Sequence, residues 1–419
     1  MNKPFIYRLD WLTVFCYLVL VVFGFFNIYS STISSELNNV FKLNSVIGKQ
    51  VLFFFVSILI GVFILGIRTK FFQQFSNIIY FACILSLISV LIFGQTINGA
   101  TSWFTIGGIG IQPSEFGKIG ASLMISKYLS DFQTNINDRK SIIIASLIIL
   151  VPSFLIIIQP DPGSAIIFCS LFLVFFREGL SFNYLILIIV ASLLFIITLL
   201  FSMDNILYSI VTITILYVFI SKIKKFKINT LFISSLALSA SFFVMSVNFI
   251  FNDVFEQRHR DRFNIILGII EDSKGIGYNI NQSKIAIGSG GLTGKGFLKG
   301  TQTKGDFVPE QQTDYIFTTV GEEWGFIGSF GLIIVLSILI IRMANQAEKQ
   351  TNIFRRAFIF CICSLLFSHF TVNIGMSLGL FPTVGIPLPF ISSGGSNLIT
   401  FSLLIFIYLN FDANRLNDW

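Results

Sequence analysis

Long apolar runs alternate with short polar segments along nearly the whole chain of 419 residues. A transmembrane helix needs about 20 mostly apolar residues to cross about 30 Å of hydrocarbon. Twelve runs approach that length, at residues 11–30, 48–67, 76–94, 113–130, 141–158, 164–177, 182–201, 206–221, 230–250, 314–341, 356–377 and 394–411. Hydropathy supports two of them least, because 164–177 is short and 113–130 contains Glu115 and Lys118. The pattern predicts an all-α polytopic integral membrane protein with about twelve transmembrane helices.

The composition agrees with a membrane protein. Hydrophobic residues make up 54% of the chain and charged residues only 12%, whereas a soluble domain carries about 25% charged residues. The five cysteines all lie inside apolar runs. Disulfide frameworks and zinc sites need cysteines in loops at ligand spacing, so neither is predicted.

The distribution of basic residues predicts the orientation. With the N-terminus inside, the inner segments hold seventeen of the 28 Lys and Arg residues, and the short outer loops hold two. Lys118 lies within a span, and the other eight lie in one long outer segment, 251–313, where the positive-inside rule is weak. Both termini are therefore expected in the cytoplasm. The net charge of +7 reflects this bias, and no nucleic-acid partner is expected.

Three outer segments are rich in polar, glycine or proline residues. They are residues 98–118, 251–313 and 381–395. Since all three lie on the predicted outer side, they could form one site.

Within the long segment, glycine recurs at positions 288, 290, 291, 294, 296 and 300, and Lys295 and Lys299 lie among them. Exposed backbone N–H groups and lysines could hold a phosphate. A flexible surface turn is the simpler interpretation, because glycine spacing alone is a weak signal.

Acidic residues follow at a spacing of four, as Asp306, Glu310 and Asp314. Asp314 precedes an apolar run, where it could cap the helix. Alternatively, its partly desolvated carboxylate meets substrate and acts as a general base. Glu322 and Glu323 lie about 12–13 Å deeper at 1.5 Å per residue, and ionisable residues at such depth are usually functional or paired.

Two further features are ambiguous from the sequence. Glu115 and Lys118 lie three residues apart on one helix face, so they either neutralise each other or serve a site. His369 is read as a packed, hydrogen-bonded residue without a role. The segment 381–395, which includes Ser393, is either a re-entrant loop that lines a cavity or a plain rigid turn.

Five stretches taken together resemble the SEDS family (shape, elongation, division and sporulation), whose best-known members are RodA and FtsW. The stretches are NGATSWFTIGGIGIQPSEFGK, QPDPGSA, GYNINQSKIAIGSGGLTGKGFLKGTQ, FVPEQQTDYIFTTVGEEWGFIG and VGIPLPFISSGGSN. They occur in the family's order and cover most of the chain after about residue 95. NGATSWF and QSKIAIGSGG are closer to RodA than to FtsW.

The resemblance implies one SEDS-type membrane domain over 1–419, with a large extracytoplasmic loop at 251–313. Family members commonly have ten spans, so an extra transmembrane hairpin is expected at 206–250. The QPD motif continues with Pro162 where Leu is more usual, which leaves the local geometry at Asp161 open.

The resemblance also implies a function. The family polymerises lipid II into peptidoglycan strands on the outer face of the bacterial cytoplasmic (inner) membrane, here for cell elongation and rod shape. Its partners are a class B penicillin-binding protein, which is a transpeptidase, and the elongation machinery. Asp314 matches the family's essential outer-loop aspartate and is the expected catalytic base. The expected substrate-binding residues are Trp103, Glu115, Lys118, Arg260, Arg262, Lys295, Lys299, Asp306, Glu310 and Ser393.

The leaving group, a polyprenyl pyrophosphate, needs its charge neutralised, which basic residues could do. No cofactor is evident and no protein metal site is predicted, although a divalent cation such as Mg²⁺ or Mn²⁺ could share this role. Two other functions stay open. A lipid II flippase or another transporter would explain intramembrane charges and broken helices, and a non-catalytic scaffold for cell-wall enzymes would need no base at Asp314.

Overall fold

The computed structural model describes residues 5–33, 45–97, 99–107, 109–131, 134–223, 229–255, 257–270 and 276–415. The described residues form sixteen α-helices and three short strands. The helices are α1 Trp11–Thr32, α2 Val46–Leu65, α3 Thr69–Phe93, α4 Pro113–Ser130, α5 Arg139–Ile158, α6 Pro162–Cys169, α7 Phe172–Arg177, α8 Phe182–Leu200, α9 Met203–Ile223, α10 Thr230–Phe249, α11 Gln257–Ile266, α12 Ile276–Ser289, α13 Thr301–Lys304, α14 Ile316–Ala347, α15 Ile353–Ser377 and α16 Gly395–Ala413.

Ten of the described helices are long and apolar enough to cross a membrane. The two predicted spans with the weakest hydropathy are also helical. One is α4, and the other divides into α6 and α7. The chain is thus an all-α multi-pass membrane protein, as predicted.

The chain divides into two compact units, Met1–Leu180 with Asn279–Trp419, and Ser181–Tyr278. The predicted inserted hairpin, 206–250, falls in the second unit as α9 and α10. The predicted long loop, 251–313, is not unstructured, because it contains the helices α11, α12 and α13.

In the first unit, α4 packs against α3 and α15, α16 packs against α2, and α14 packs against α15 and α1. The apolar core includes Phe358 and Phe411, whose rings meet edge to face at 5.3 Å. α4 tolerates a low apolar content because protein surrounds it, and both Glu115 and Lys118 are buried.

In the second unit, α8, α9 and α10 pack together. Phe263 on α11 packs edge to face against Phe195 on α8, with ring centroids 5.8 Å apart. Most large apolar side chains of α9 and α10 point outward, as a lipid environment requires.

A small antiparallel sheet that the hydropathy pattern does not predict precedes α4. It consists of β1 Gln95–Ile97, β2 Ala100–Ile106 and β3 Ile109–Ile111, in the order β1-β2-β3. Its central strand, ATSWFTI, is rich in β-branched and aromatic residues, which favour strands.

The helix α14 breaks at Gly325, where φ is 64° and ψ is −161°. The glycine-rich segment, residues 288–300, supplies four hydrogen bonds across this break. They run from Phe326 N to Gly291 O (2.9 Å), from Ile327 N to Leu292 O (3.1 Å), from Lys295 N to Glu322 O (3.0 Å) and from Gly296 N to Glu323 O (3.0 Å). The segment is therefore a docked element of the fold and not a flexible turn, since it satisfies backbone groups that the break leaves open.

Candidate active site

Parts of the three polar segments singled out in the sequence meet at one end of the first unit, which we call the site end. Of the segment 251–313, only the residues from Asn279 onward belong to this unit. The amide of Ser393 donates to Gln312 O at 2.8 Å, and the Ser392 hydroxyl donates to Thr313 O at 2.6 Å. The amide of Gln112, just before α4, donates to Ser396 Oγ at 3.1 Å. One connected polar surface results.

Asp314 lies at the centre of this surface and is half-buried. Its amide donates to Glu310 O at 3.1 Å, and its carbonyl accepts from Asn373 Nδ2 at 2.8 Å. The helix that follows has Tyr315 as its N-cap residue, without a side-chain cap. A Cβ added to Gly385 would lie 3.4 Å from Asp314 Oδ2, so the carboxylate faces the 381–395 segment.

Two polar residues one turn apart on α15 hold that segment. Asn373 Nδ2 also donates to Ile386 O at 2.7 Å, and His369 Nδ1 lies 3.0 Å from Pro387 O. The segment runs against protein, because a Cβ at Gly24 of α1 would lie 2.6 Å from Phe390 O. These contacts favour the re-entrant interpretation of residues 381–395 over the plain turn.

Lys118 and Glu115 form a buried ion pair, with Lys118 Nζ 2.6 Å from Glu115 Oε1. Lys118 is fully buried, and its Nζ also lies 2.9 Å from His369 Nε2. Because a carbonyl oxygen only accepts, His369 Nδ1 must carry the proton toward Pro387 O, which leaves Nε2 to accept from the ammonium group. Of the two interpretations that the sequence left open, the ion pair is present, and His369 connects it to the segment beside Asp314.

Asn397 contacts the other carboxylate oxygen of this ion pair, since its Nδ2 donates to Glu115 Oε2 at 3.3 Å. The ammonium group also lies 5.5 Å from the ring centroid of Phe401. Both carboxylate oxygens of Glu115 thus have partners, as a buried ion needs.

Trp103 lies on β2, opposite Gln95 of β1. Its ring covers Gly110 of β3, where an added Cβ would lie 3.1 Å from the indole. The strand joins the site end through Thr101, whose amide donates to Gln159 O at 3.2 Å. The sheet therefore gives Trp103 a fixed, half-buried position beside the other segments.

Asp161 caps α6, with the amide of Ser164 donating to Oδ1 at 3.0 Å. Gln112 Nε2 donates to Asp161 Oδ2 at 2.9 Å, which joins this motif to the start of α4. Burial raises the pKa of Asp161, although the hydrogen bonds from Ser164 act in the opposite direction. Pro162 occupies the first turn of α6, where the N–H group that proline lacks would have no partner within the helix.

Lys295 does not point freely outward. Its Nζ lies 2.7 Å from Glu322 Oε1 and 2.7 Å from Thr301 Oγ1. Lys299, by contrast, is exposed on the glycine-rich segment.

Asp306 and Glu310 are exposed, and both adopt a positive φ, of 50° and 54°. The Thr313 hydroxyl lies 3.1 Å from Glu310 Oε2. Both residues precede Asp314 on the same stretch of chain, so the predicted acidic segment is assembled at the site end.

Arg260 and Arg262 lie on α11 in the second unit. Arg260 donates from Nη1 to Asn252 O at 2.8 Å.

The geometry can support acid–base chemistry on a polar substrate. A half-buried carboxylate is held by its backbone, and buried groups behind it fix the loop that it faces. Among the residues that the structure describes, no group of three or more His, Cys, Asp or Glu side chains is placed to hold a metal ion.

His369, Asn373 and Asn397 are members of the site for which the sequence predicts no role. The spacing of four between His369 and Asn373 places both on one face of an apolar helix, which is a detectable signal. Their partners are carbonyl groups of an irregular segment, and no sequence pattern identifies those.

A profile of the cell cycle protein family FtsW/RodA/SpoVE matches residues 10–212 and 205–417. Peptidoglycan glycosyltransferase MrdB of Escherichia coli K12 is 31% identical over 361 residues, which cover 86% of this chain and 84% of MrdB. Peptidoglycan glycosyltransferase RodA of Treponema pallidum is 30% identical over 444 aligned positions, covering 97% and 98% of the two chains. A chain from a solved peptidoglycan synthase complex has the same fold, with a TM-score of 0.74 at 23% identity, covering 98% of this chain and 99% of that one.

Proposed function

Because the chain belongs to the FtsW/RodA/SpoVE family of cell cycle proteins, we propose that it is a peptidoglycan glycosyltransferase that polymerises lipid II. Two relatives that are 31% and 30% identical to it over most of both chains are named peptidoglycan glycosyltransferases. They favour polymerisation over the transporter and scaffold alternatives.

One observation supports Asp314 as the catalytic residue. It is the half-buried carboxylate at the point where the three polar segments meet, and Asn373 fixes its carbonyl against the 381–395 segment. Asp314 takes the proton from the sugar 4-hydroxyl of the acceptor while that oxygen attacks the anomeric carbon of the donor. The bond to the polyprenyl pyrophosphate breaks in the same step. General-base assistance of this kind contributes about 10²–10⁴-fold to the rate.

The leaving pyrophosphate needs positive charge nearby. Lys299 is suited to this role because it is exposed, whereas Lys295 is engaged by Glu322. Arg260 and Arg262 remain further candidates, and a divalent cation held mainly by the pyrophosphate could contribute. Lys118 and Glu115 are both buried, so in this proposal they support the surface around Asp314 without contacting the pyrophosphate.

Trp103, Asp306, Glu310 and Ser393 line the surface to which the sugar head group binds in this proposal. Trp103 offers an apolar wall for a sugar face. The lipid tail stays in the bilayer, so the site end faces the extracytoplasmic side and both termini lie in the cytoplasm. The basic-residue distribution supports this orientation.

The structural neighbour comes from a complex that coordinates polymerization and crosslinking. We extend this arrangement to the present chain. Its partner would be a class B penicillin-binding protein, which cross-links the strands that this protein makes for cell elongation.

The proposal is tested by following lipid II polymerisation with purified Asp314→Asn protein, assayed alone and with its partner. We expect a loss of at least about 100-fold, because the amide cannot take the proton. Asp204→Asn is the matched control, since Asp204 is an exposed acid on α9 and its variant should keep full activity. Full activity of folded Asp314→Asn protein would refute the catalytic role.

A further inference from the structure

We propose that Glu322 is a positioning residue for the acidic segment, residues 304–314, which carries Asp306, Glu310 and Asp314. This inference rests on the proposed function of Asp314. Glu322 lies on α14, six residues after the helix begins at Ile316, and is fully buried. It belongs to neither the surface around Asp314 nor the ion pair of Lys118.

The carboxylate of Glu322 accepts five hydrogen bonds from the residues that precede the acidic segment. The donors are Lys295 Nζ (2.7 Å), Thr301 Oγ1 (3.2 Å) and Gln302 N (2.9 Å) to Oε1, and Thr303 N (2.8 Å) and Thr303 Oγ1 (2.8 Å) to Oε2. An ionised carboxylate has two oxygens with about four lone pairs and no donor. The site is therefore built for a carboxylate, and an amide would turn an N–H₂ group toward other donors.

The hydroxyl of Thr303 extends this hydrogen-bond network from Glu322 to Gln311. Thr303 Oγ1 gives its proton to Glu322, so its lone pairs accept from Gln311 Nε2 at 2.9 Å. Gln311 Nε2 also donates to Thr319 Oγ1 on α14 at 2.9 Å. Gln311 is itself buried.

These contacts anchor the acidic segment near both ends. Thr303 immediately precedes it, and Gln311 lies three residues before Asp314. Between the anchors, Asp306 and Glu310 adopt positive φ, a conformation that non-glycine residues rarely hold without support. The network supplies that support, because its donors and acceptors fix where the segment starts and where it returns to α14.

Glu322 does not contact substrate in this proposal. Its side chain is inaccessible, and the five donors engage both of its oxygens. Its effect on catalysis is indirect, since it sets the position of the chain that leads to Asp314.

The test compares Thr303→Val with Thr303→Ser in the full-length protein. Valine keeps the size of the side chain but removes the hydroxyl that joins Glu322 to Gln311, whereas serine keeps that hydroxyl. Thr318→Val is the control, because Thr318 is equally buried but its hydroxyl bonds only Tyr315 O in the adjacent turn. Two quantities are measured for each variant: kcat and KM for lipid II, and amide hydrogen exchange across residues 301–314.

We expect Thr303→Val to lower kcat about 10-fold with KM changed less than about 3-fold, as the loss of one buried hydrogen-bonded group implies. Exchange across 304–314 should rise by a similar factor. Thr303→Ser should keep both kcat and amide exchange near their wild-type values, and Thr318→Val should change neither quantity. Glu322→Gln should raise exchange further in protein that remains monodisperse.

Wild-type exchange and kcat in Thr303→Val, or equal losses in the valine and serine variants, would overturn the proposal. Exchange reports on the order of the segment without reference to turnover. The failure of this inference is therefore distinguishable from an active Asp314→Asn protein, which would overturn the catalytic role alone.

Discussion

Both ends of the first unit contain ion pairs with a partly exposed cation, such as Lys295 with Glu322 at the site end, but the pair of Lys118 with Glu115 is buried on both sides. At the end opposite the site, Arg342 contacts Asp10 through two nitrogens, with the arginine side chain 35% exposed. At the site end, Lys118 and Glu115 are paired with side-chain exposures of 1% and 3%.

The other pairs at the opposite end follow the same pattern. Arg356 contacts Glu178 at 2.6 Å and is 26% exposed, and Arg177 pairs with Glu348 while both are about half exposed. Arginine forms planar, bidentate contacts and keeps part of its hydration, so such pairs connect helix ends at little cost.

A pair with both partners buried is different. Its desolvation penalty is several kcal/mol per ion, and well-packed apolar residues of similar volume are often as stable. We interpret the exposed pairs at the opposite end as links between helices. The buried pair at the site end fits a functional role, because ionisable groups at such depth are usually functional.

Lys118→Met should have the largest effect of the substitutions that test the difference between the buried and the exposed ion pairs. The substitution leaves Glu115 buried without its cation and His369 Nε2 without its donor, so we expect about 3–5 kcal/mol of lost stability and a loss of lipid II polymerisation beyond what the lower protein level explains. Polymerisation per folded molecule and thermal unfolding measure the two effects.

The double variant Lys118→Met with Glu115→Gln separates them further. It removes both charges, so much of the stability should return while activity stays low. If activity returned together with stability, the pair would be purely structural and the comparison would fail.

Asp10→Asn probes the opposite end, and we expect a smaller effect of about 1–2 kcal/mol on unfolding, with polymerisation per folded molecule unchanged. Burial by itself raises the pKa of Asp10, but hydrogen bonds from Arg342 and Tyr408 outweigh it, so the pKa lies below the ordinary 3.8. A lowered pKa means that this stabilisation is complete above pH 3.8 and is lost as the pH falls through the folded-state value.

Thermal unfolding of Asp10→Asn and the wild type at pH 7 and below pH 3.8 checks this sign. The two proteins should differ at pH 7 and converge in acid. A difference that persists unchanged in acid would show that the carboxylate charge is not the cause.

Glu348→Gln should have the smallest effect, about 0.2–1 kcal/mol, because water screens an exposed pair. A hydrogen bond from Arg177 lowers the pKa of Glu348, but about half of each side chain remains exposed. High salt should reduce the difference in unfolding temperature between variant and wild type. A loss as large as that of Lys118→Met would remove the distinction between the two ends.

The sequence by itself determined the membrane-spanning architecture. Apolar length is a local property, and a bilayer admits only helices or closed barrels, so the multi-pass helical architecture follows from the order of residues. The count was less exact, because about twelve spans were predicted and ten of the described helices have the length and hydropathy of a span. It also identified the three polar segments. It showed that Glu115 and Lys118 could pair, because a spacing of three residues places both on one face of a helix. The small sheet around Trp103 was missed, since short strands give weak patterns.

Only the tertiary structure decided how those segments use each other. The glycine-rich segment looked like a free turn, but it supplies the hydrogen bonds that α14 loses at Gly325. Lys295 looked available for a phosphate, yet Glu322 engages it. His369 had no assigned role, and its two ring nitrogens join Lys118 to Pro387. Each of these partners is a backbone or buried group distant in the chain, and such pairings depend on which surfaces the packed helices bring within hydrogen-bond distance.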